Sequence, residues 1–243
     1  MSPNASYSDR PPAPKLSECG KWLRVDFDTP HVTKSWAVLG GGTTEARAVI
    51  WRHVTDGELC LGVDPGAYFI EQIAAHYGSN AASRPIIGFL TGARLAGHTE
   101  ALLDHSGIWA RCIATVGLNN ALRIGDPPSA AAPYPGTINI LLQTSVPLTD
   151  PAAIEALSIV AEARAVAVLE GGIQAASGLG LVSGTGTDCI AVASPRQSGA
   201  TEQRYAGKHT VLGHLIGAAT YRAVAMGVQN HCSRRGGSNS AQR

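Results

Sequence analysis

Seven short runs dominated by apolar residues recur along the chain, with glycine- or proline-marked breaks and helix-like segments between them. Runs of that length read as buried strands. They fall at Trp22 to Phe27, Ser35 to Leu39, Pro85 to Thr91, Ile108 to Thr115, Thr137 to Leu142, Val166 to Leu169 and Asp188 to Ala193. Between them lie segments with helix-start chemistry. Thr43-Thr44-Glu45 could cap a helix running to about His53, and Pro65-Gly66 opens one to about Tyr77. Thr149-Asp150-Pro151 supplies an N-cap and a proline in the first turn for Ala152 to Ala163, and His209 to Val228 reads as a long final helix. Strands alternating with helices define an α/β fold, either layered mixed α/β or α+β. No internal repeat and no dividing linker is visible, so residues 19–229 read as a single globular domain between flexible tails, 1–18 and 230–243. The Pro/Ala patch from Pro127 to Pro135 reads as a loop inside that domain.

Composition narrows the function. Hydrophobic residues make up 44% and charged residues 15%, enough apolar material for a core and too little charge for a disordered chain. The net charge of +1 gives no basic face for nucleic acid. The N-terminal residues lack an apolar signal region, and no uninterrupted apolar stretch reaches the ~18 residues of a spanning helix. The most apolar region, Ile159 to Leu169, is broken by Glu162 and Arg164. Five widely spaced cysteines without a C-x-x-C pair fit reduced thiols. The expectation is a cytoplasmic protein with neither membrane nor nucleic-acid partner, its oligomeric state, including a homo-oligomer, left open.

Four segments carry chemistry. In the first, Asn119, Asn120, Arg123 and Asp126 follow the run that ends at Thr115. Loops at strand ends commonly hold catalytic groups, although an Asx-rich turn with an Arg/Asp surface pair explains them equally well. In the second, Thr137 and Asn139 sit two apart at a strand start, so both take one face, toward solvent or a site. The third, Gly178 to Asp188, is the richest Gly/Thr stretch. It presents Gly184, Thr185, Gly186 and Thr187, or else is a plain strand connection. It lacks the lysine of a phosphate-binding P-loop, and a strand follows its glycines instead of a dinucleotide-binding helix. The fourth contains Tyr205, Lys208 and His209. Placed at a helix start, His209 is a base candidate. His214, five residues on, points away and makes a poor metal pair, and Asp104-His105 reads as surface. No histidine spacing supports a metal site.

Together these segments resemble the adenosylcobinamide amidohydrolase (CbiZ) family. The match is carried by Gly40 to Arg47, Ile87 to Gly92, Ala114 to Asp126, Gly136 to Asn139, Gly184 to Asp188 and Tyr205 to Thr210, in order over Trp22 to Val228. The chain departs from the family pattern at Asn119, before Asn120, and at Leu122, before Arg123. The resemblance implies hydrolysis of the amide joining aminopropanol to a corrin propionate. Adenosylcobyric acid is then the product, complete cobamides are further substrates, and the cell can rebuild the salvaged corrinoid. Cobalt enters within the substrate, and no separate cofactor is implied. In this reading His209 activates water or a hydroxyl, oriented by Asp188 or Asp126. Asn120, Asn139 and backbone N–H groups near Gly186 bind the oxyanion, and Thr185 or Thr187 is the covalent alternative to water. Asn119, Arg123, Thr137, Gly184, Tyr205 and Lys208 are expected to bind substrate. The runner-up is a corrinoid-binding or transport-accessory protein without hydrolytic activity. A phosphate-binding transferase is a third reading, opposed by the missing P-loop lysine.

Overall fold

The computed structural model describes residues 15–59, 62–82, 84–127, 136–196 and 200–240. Expected tail residues 1–14 and 241–243, and most of the Pro/Ala patch, therefore lie outside the described residues. The strands are β1 (Lys15–Cys19), β2 (Trp22–Ser35), β3 (Gly42–His53), β4 (Ile86–Thr91), β5 (Thr99–His105), β6 (Ile108–Val116), β7 (Ala121–Leu122), β8 (Ile138–Thr144), β9 (Gly184–Thr185) and β10 (Cys189–Pro195). The helices are α1 (Pro65–Tyr77), α2 (Ser79–Ala82), α3 (Asp150–Glu170) and α4 (Val211–Ser240). This is a mixed α/β domain. One large sheet runs β4-β3-β2-β10-β8-β6-β5, with β1 also on β2, and a two-stranded ribbon pairs β7 with β9. The pairs β3–β4 and β8–β10 are parallel and the rest of the large sheet is antiparallel.

The sheet is buried on both faces, which is why most of its strands read as near-continuous apolar runs. Cys112, Ala114, Ile138, Ile140, Leu142, Ile190 and Val192 face α3 and α4. The alternate residues Ile113, Leu141, Ala191 and Ala193 face Val49, Trp51, Ile87 and Phe89 from the other half of the sheet. Ala48, Ile50 and Ile86 cover α1 through Phe69 and Ile73. Gly88 is where the Phe69 ring lies against β4, in the space a side chain would fill.

Local signals explain the helices that the sequence anticipates. Asp64 accepts from Ala67 N at 2.6 Å and caps α1, with Pro65 in its first turn. Thr149 caps α3 in the same way, accepting from Ala152 N at 3.4 Å. Four expectations are corrected. Thr43 to His53 is strand β3, not helix: its β-branched and aromatic residues pair with both β2 and β4, and that pairing overrides the cap signal. Val166 to Leu169 is the last part of α3, where Ala167 and Val168 join the core shared with α4. Ser35 ends β2 rather than opening a strand, and Leu39 keeps only a bridge to Gly88. The tail boundaries also move, because residues 15–18 belong to β1 and residues 230–240 extend α4.

α4 begins at Val211, because the Thr210 hydroxyl accepts from Gly213 N at 2.9 Å and acts as its cap. Segment Val211–Arg234 is long and apolar enough, by length and composition, to cross a membrane, which the sequence reading did not expect. Within its most apolar window 56% is buried inside the protein, against α3, β5 and β6. Cys19, Cys112, Cys189 and Cys232 are free thiols, and Cys60 lies outside the described residues.

Candidate active site at the β6–β8–β10 sheet end

Three of the four polar segments meet at one end of the sheet. Register puts Thr115 opposite Asn139 and Asn139 beside Cys189, so the loops after β6, before β8 and before β10 emerge together. The β7–β9 ribbon ties the first loop to the third, pairing Ala121 with Thr185 and Leu122 with Gly184. Two further hydrogen bonds lock this ribbon. Ser183 N donates to Leu122 O at 2.9 Å, and Ile124 N donates to Ser183 Oγ at 2.8 Å.

Asp188 is the hub. Its carboxylate accepts from Ile138 N at 2.9 Å, Thr185 N at 3.0 Å and the Thr185 hydroxyl, and it pairs with the Arg164 guanidinium from α3. The pair is sequestered, with side-chain exposures of 7% for Asp188 and 17% for Arg164. Gly184 leaves the space for this contact. A Cβ there would lie 2.6 Å from Asp188 Oδ2 and against Arg164, so a side chain at this position displaces the ion pair. Around the hub, Thr137 donates to Thr187 O at 2.7 Å and Thr187 donates to Gly136 O at 3.2 Å. The Trp36 indole donates to Asp188 O at 2.7 Å. Cys189, next in line, has its thiol pushed up to about 11 by burial and then by the Asp188 charge, so it is no thiolate nucleophile at neutral pH.

Buried polar atoms without partners gather at the same end: Thr115 Oγ1, Asn120 Oδ1, Asn139 Oδ1 and Arg164 Nε. Native interiors leave few such atoms. Asn139 is fully buried, and its Nδ2 donates to Leu90 O at 2.8 Å. Its open atom is an acceptor, the wrong polarity for the expected oxyanion role. Asn120 lies against Gly136, where a Cβ would come 2.8 Å from its Oδ1. Arg123 donates to Leu181 O at 3.2 Å, and Asp126 accepts from Arg123 N at 3.2 Å, closing a turn. Asp126 therefore takes the turn-forming reading. Asn119 and Gly186 are exposed on the same loops.

The fourth segment is elsewhere. His209 and Lys208 line a cavity of about 440 Å³ with Asp104, His105, Thr210 and His214, at the end of the sheet where β5 turns into β6. Asp188 sits beside the opposite end of β6. That strand has nine residues, a separation of roughly 26 Å at ~3.3 Å per step. α4 gives the same measure. It starts at Val211 beside His209 and reaches Val116 only at Gly227, roughly 24 Å along at 1.5 Å per residue. The structure therefore does not bring His209 to Asp188 or Asp126, and the expected orientation of its imidazole by either acid is not formed. His209 also precedes α4 instead of lying in its first turn. Lys208 is paired with Glu162, and Tyr205 is 66% exposed. Among the described residues no group of three or more His, Cys, Asp and Glu is placed to hold a metal ion.

Arg164 and Trp36 are the site residues that sequence reasoning missed. Arg164 did leave a signal, as a charge inside the most apolar stretch of the chain. Such a charge is kept in an apolar element only when it has a partner. Trp36 left none.

The polar, glycine-built site lies at one end of the sheet of a mixed α/β domain, and comparison supplies the family. The family model described as adenosylcobinamide amidohydrolase (CbiZ) matches residues 7–236. The chain belongs to this family. An uncharacterized protein of Methanocaldococcus jannaschii is 39% identical over 90 residues, 37% of this chain and 34% of that protein. The chain thus matches about a third of that relative's length. Among solved structures, a Pyrococcus horikoshii protein is similar at a TM-score of 0.45 and 11% identity, over 86% of this chain and 76% of that one. A Burkholderia beta-aminopeptidase follows at TM-score 0.39 and 11% identity, over 90% and 82%. The L-aminopeptidase D-Ala-esterase/amidase of Ochrobactrum anthropi has TM-score 0.36 and 12% identity, over 85% and 76%.

Proposed function

We propose that this chain is an amidohydrolase that cuts the amide between aminopropanol and the propionate of the corrin ring, releasing adenosylcobyric acid from adenosylcobinamide. The observation that carries the reading is the meeting of the Gly136–Asn139 and Gly184–Asp188 segments on the Asp188 carboxylate, which accepts from Ile138 N and Thr185 N. Thr185 is the nucleophile of this reading, because its hydroxyl already donates to a carboxylate, the contact that activates an alcohol. Its Oγ1 attacks the amide carbonyl carbon while its proton passes to Asp188. The C–N bond then breaks as that proton reaches the leaving amine, and water hydrolyses the resulting ester. Arg164 holds Asp188 in place throughout. Backbone N–H groups near Gly186 face the developing oxyanion.

The test is to incubate pure protein with adenosylcobinamide and with complete cobamides, with and without chelator, and to measure free aminopropanol or its derivative. Release from cobinamide that Thr185→Val abolishes, with a mass adduct on Thr185 in quenched wild-type reactions, supports the reading. Corrinoid binding without release favours the corrinoid-carrying alternative. Undiminished release by Thr185→Val assigns the attack to water.

A further inference from the structure

Two threonines that the proposed chemistry leaves unused exchange hydrogen bonds across the site. The Thr137 hydroxyl donates to Thr187 O at 2.7 Å, and the Thr187 hydroxyl donates back to Gly136 O at 3.2 Å. Together they form a reciprocal tie between the residues that enter β8 and the turn that carries Thr185 and Asp188. One side of the tie is fixed to the sheet. Gly117 N, just past β6, donates to Thr137 O at 2.9 Å, and Thr137 is only 4% exposed. A β-branched side chain in such surroundings has little rotamer freedom. The other side, Thr187, is exposed, so hydrogen bonds and not burial hold it in place.

The tie holds both the carbonyl and the side chain of Thr187, and so sets where its N–H points. That N–H donates to Thr185 Oγ1 at 3.4 Å. The Thr185 oxygen therefore has a donor, Thr187 N–H, as well as the acceptor, Asp188, that takes its own proton. In the proposed reaction the Oγ1 proton passes to Asp188 as Oγ1 bonds to the carbonyl carbon. Negative charge builds on Oγ1 in that interval, and a donor already aimed at it stabilises the charge while keeping its own proton. A bond of 3.4 Å is long for the resting state and leaves room to tighten as the charge develops. We infer that Thr137 is a positioning residue, which acts through the tie to aim Thr187 N–H at the Thr185 oxygen and does not itself bind substrate. This inference rests on the Thr185 reading above. It gives Thr137 and Thr187 roles other than the substrate-binding and nucleophilic ones expected from the sequence.

The test uses the full chain with Thr137→Val, which removes the hydroxyl at similar shape, and Thr137→Ser, which keeps it. Adenosylcobinamide is the probe. Aminopropanol release is followed in single turnovers, and binding by titrating the visible absorbance of the corrin. Thr137→Val is expected to slow release at least about tenfold with Kd within about twofold, and Thr137→Ser to stay within about threefold of the wild-type rate. The matched control is Thr144→Val at the other end of β8, a buried threonine whose hydroxyl donates to Val146 O at 2.9 Å. It loses the same kind of bond, so its urea midpoint should fall comparably while its release rate stays within about twofold. Thr187→Val, at an exposed position, loses only the second bond of the tie and should slow release about fivefold. It carries the test should Thr137→Val fail to fold. A folded Thr137→Val or Thr187→Val within about twofold of the wild-type rate overturns the assignment, as does a loss that falls on Kd or that serine does not avoid. Wild-type protein that releases no aminopropanol, or undiminished release by Thr185→Val, instead overturns the underlying reading.

Discussion

Replacing Asp188 by asparagine tests whether the Asp188 carboxylate organises the site. The substitution is nearly isosteric, so little cavity cost enters. It removes the charge facing Arg164 and turns one acceptor oxygen into an NH₂ group. Asp188 is 7% exposed, and both of its oxygens are used, by Arg164 and Thr185 N on one and by Ile138 N and the Thr185 hydroxyl on the other. Either orientation of the new amide therefore sets NH₂ against N–H donors. Removing one partner of a buried ion pair costs about 3–5 kcal/mol. Arg164 retains 17% exposure and can recover some hydration, which places the expected loss near about 3 kcal/mol. Urea unfolding should show this as a lower midpoint at unchanged slope. Arg164→Met in the same background removes the stranded guanidinium and should recover part of the loss, with a coupling of about 2 kcal/mol between the two sites. A loss below about 1 kcal/mol for Asp188→Asn, or strict additivity with Arg164→Met, would refute the hub.

Two further outcomes follow from the geometry. His209→Ala should keep aminopropanol release within about threefold of wild type, because His209 lines a cavity at the β5–β6 turn, at the other end of β6 from Asp188 and Thr185, whereas the loss of an acid–base group costs at least about 100-fold; a 100-fold fall would move the chemistry to the His209 cavity. Glu58 is lowered from 4.5 to about 2: burial raises it, but Lys21, the Thr55 N–H and Arg52 outweigh that effect. Its contribution to stability is therefore present above pH 4.5 and lost as pH falls toward 2, about 1 kcal/mol once solvent screening is counted. Denaturation of Glu58→Gln at pH 7 and pH 3 should show a deficit at pH 7 that shrinks at pH 3, and an equal deficit at both would contradict the linkage.

The elements legible in the sequence were those with local signatures. α1 and α3 carry an Asx or Thr cap followed by proline, and both begin within a residue or two of the expected place. β4, β6, β8 and β10 are apolar runs bounded by polar loops. Misreadings occurred where local chemistry and tertiary pairing disagree. Thr43-Thr44-Glu45 has a capping pattern, yet the residues after it are claimed by strands on both sides. Val166 to Leu169 has strand composition, yet it continues a helix whose inner face packs on α4. The ion pair of Arg164 and Asp188 links residues 24 positions apart, and nothing in either local segment names the other as partner.

The same limit explains the histidine. A motif read along the chain supplies residue types and order, but distance across a sheet depends on which strand end each loop leaves. The loops holding Asn120, Thr137 and Asp188 leave the end of β6 and the starts of β8 and β10, and the register of these strands makes those positions one end. The segment holding His209 enters α4 at its first turn, and α4 runs from the β5–β6 turn toward Val116, so its start belongs to the far end. A substrate held at Asp188, as proposed above, would therefore meet Thr185 and not His209. The Tyr205 to Thr210 segment has a packing role at this end. Ala206 N donates to Glu155 at 2.7 Å, and any side chain at Gly213 would strike the carbonyls of Ala206 and Gly207. The segment is thus the clasp that fixes the start of α4 against α3, and α3 in turn holds Arg164 at the height of Asp188.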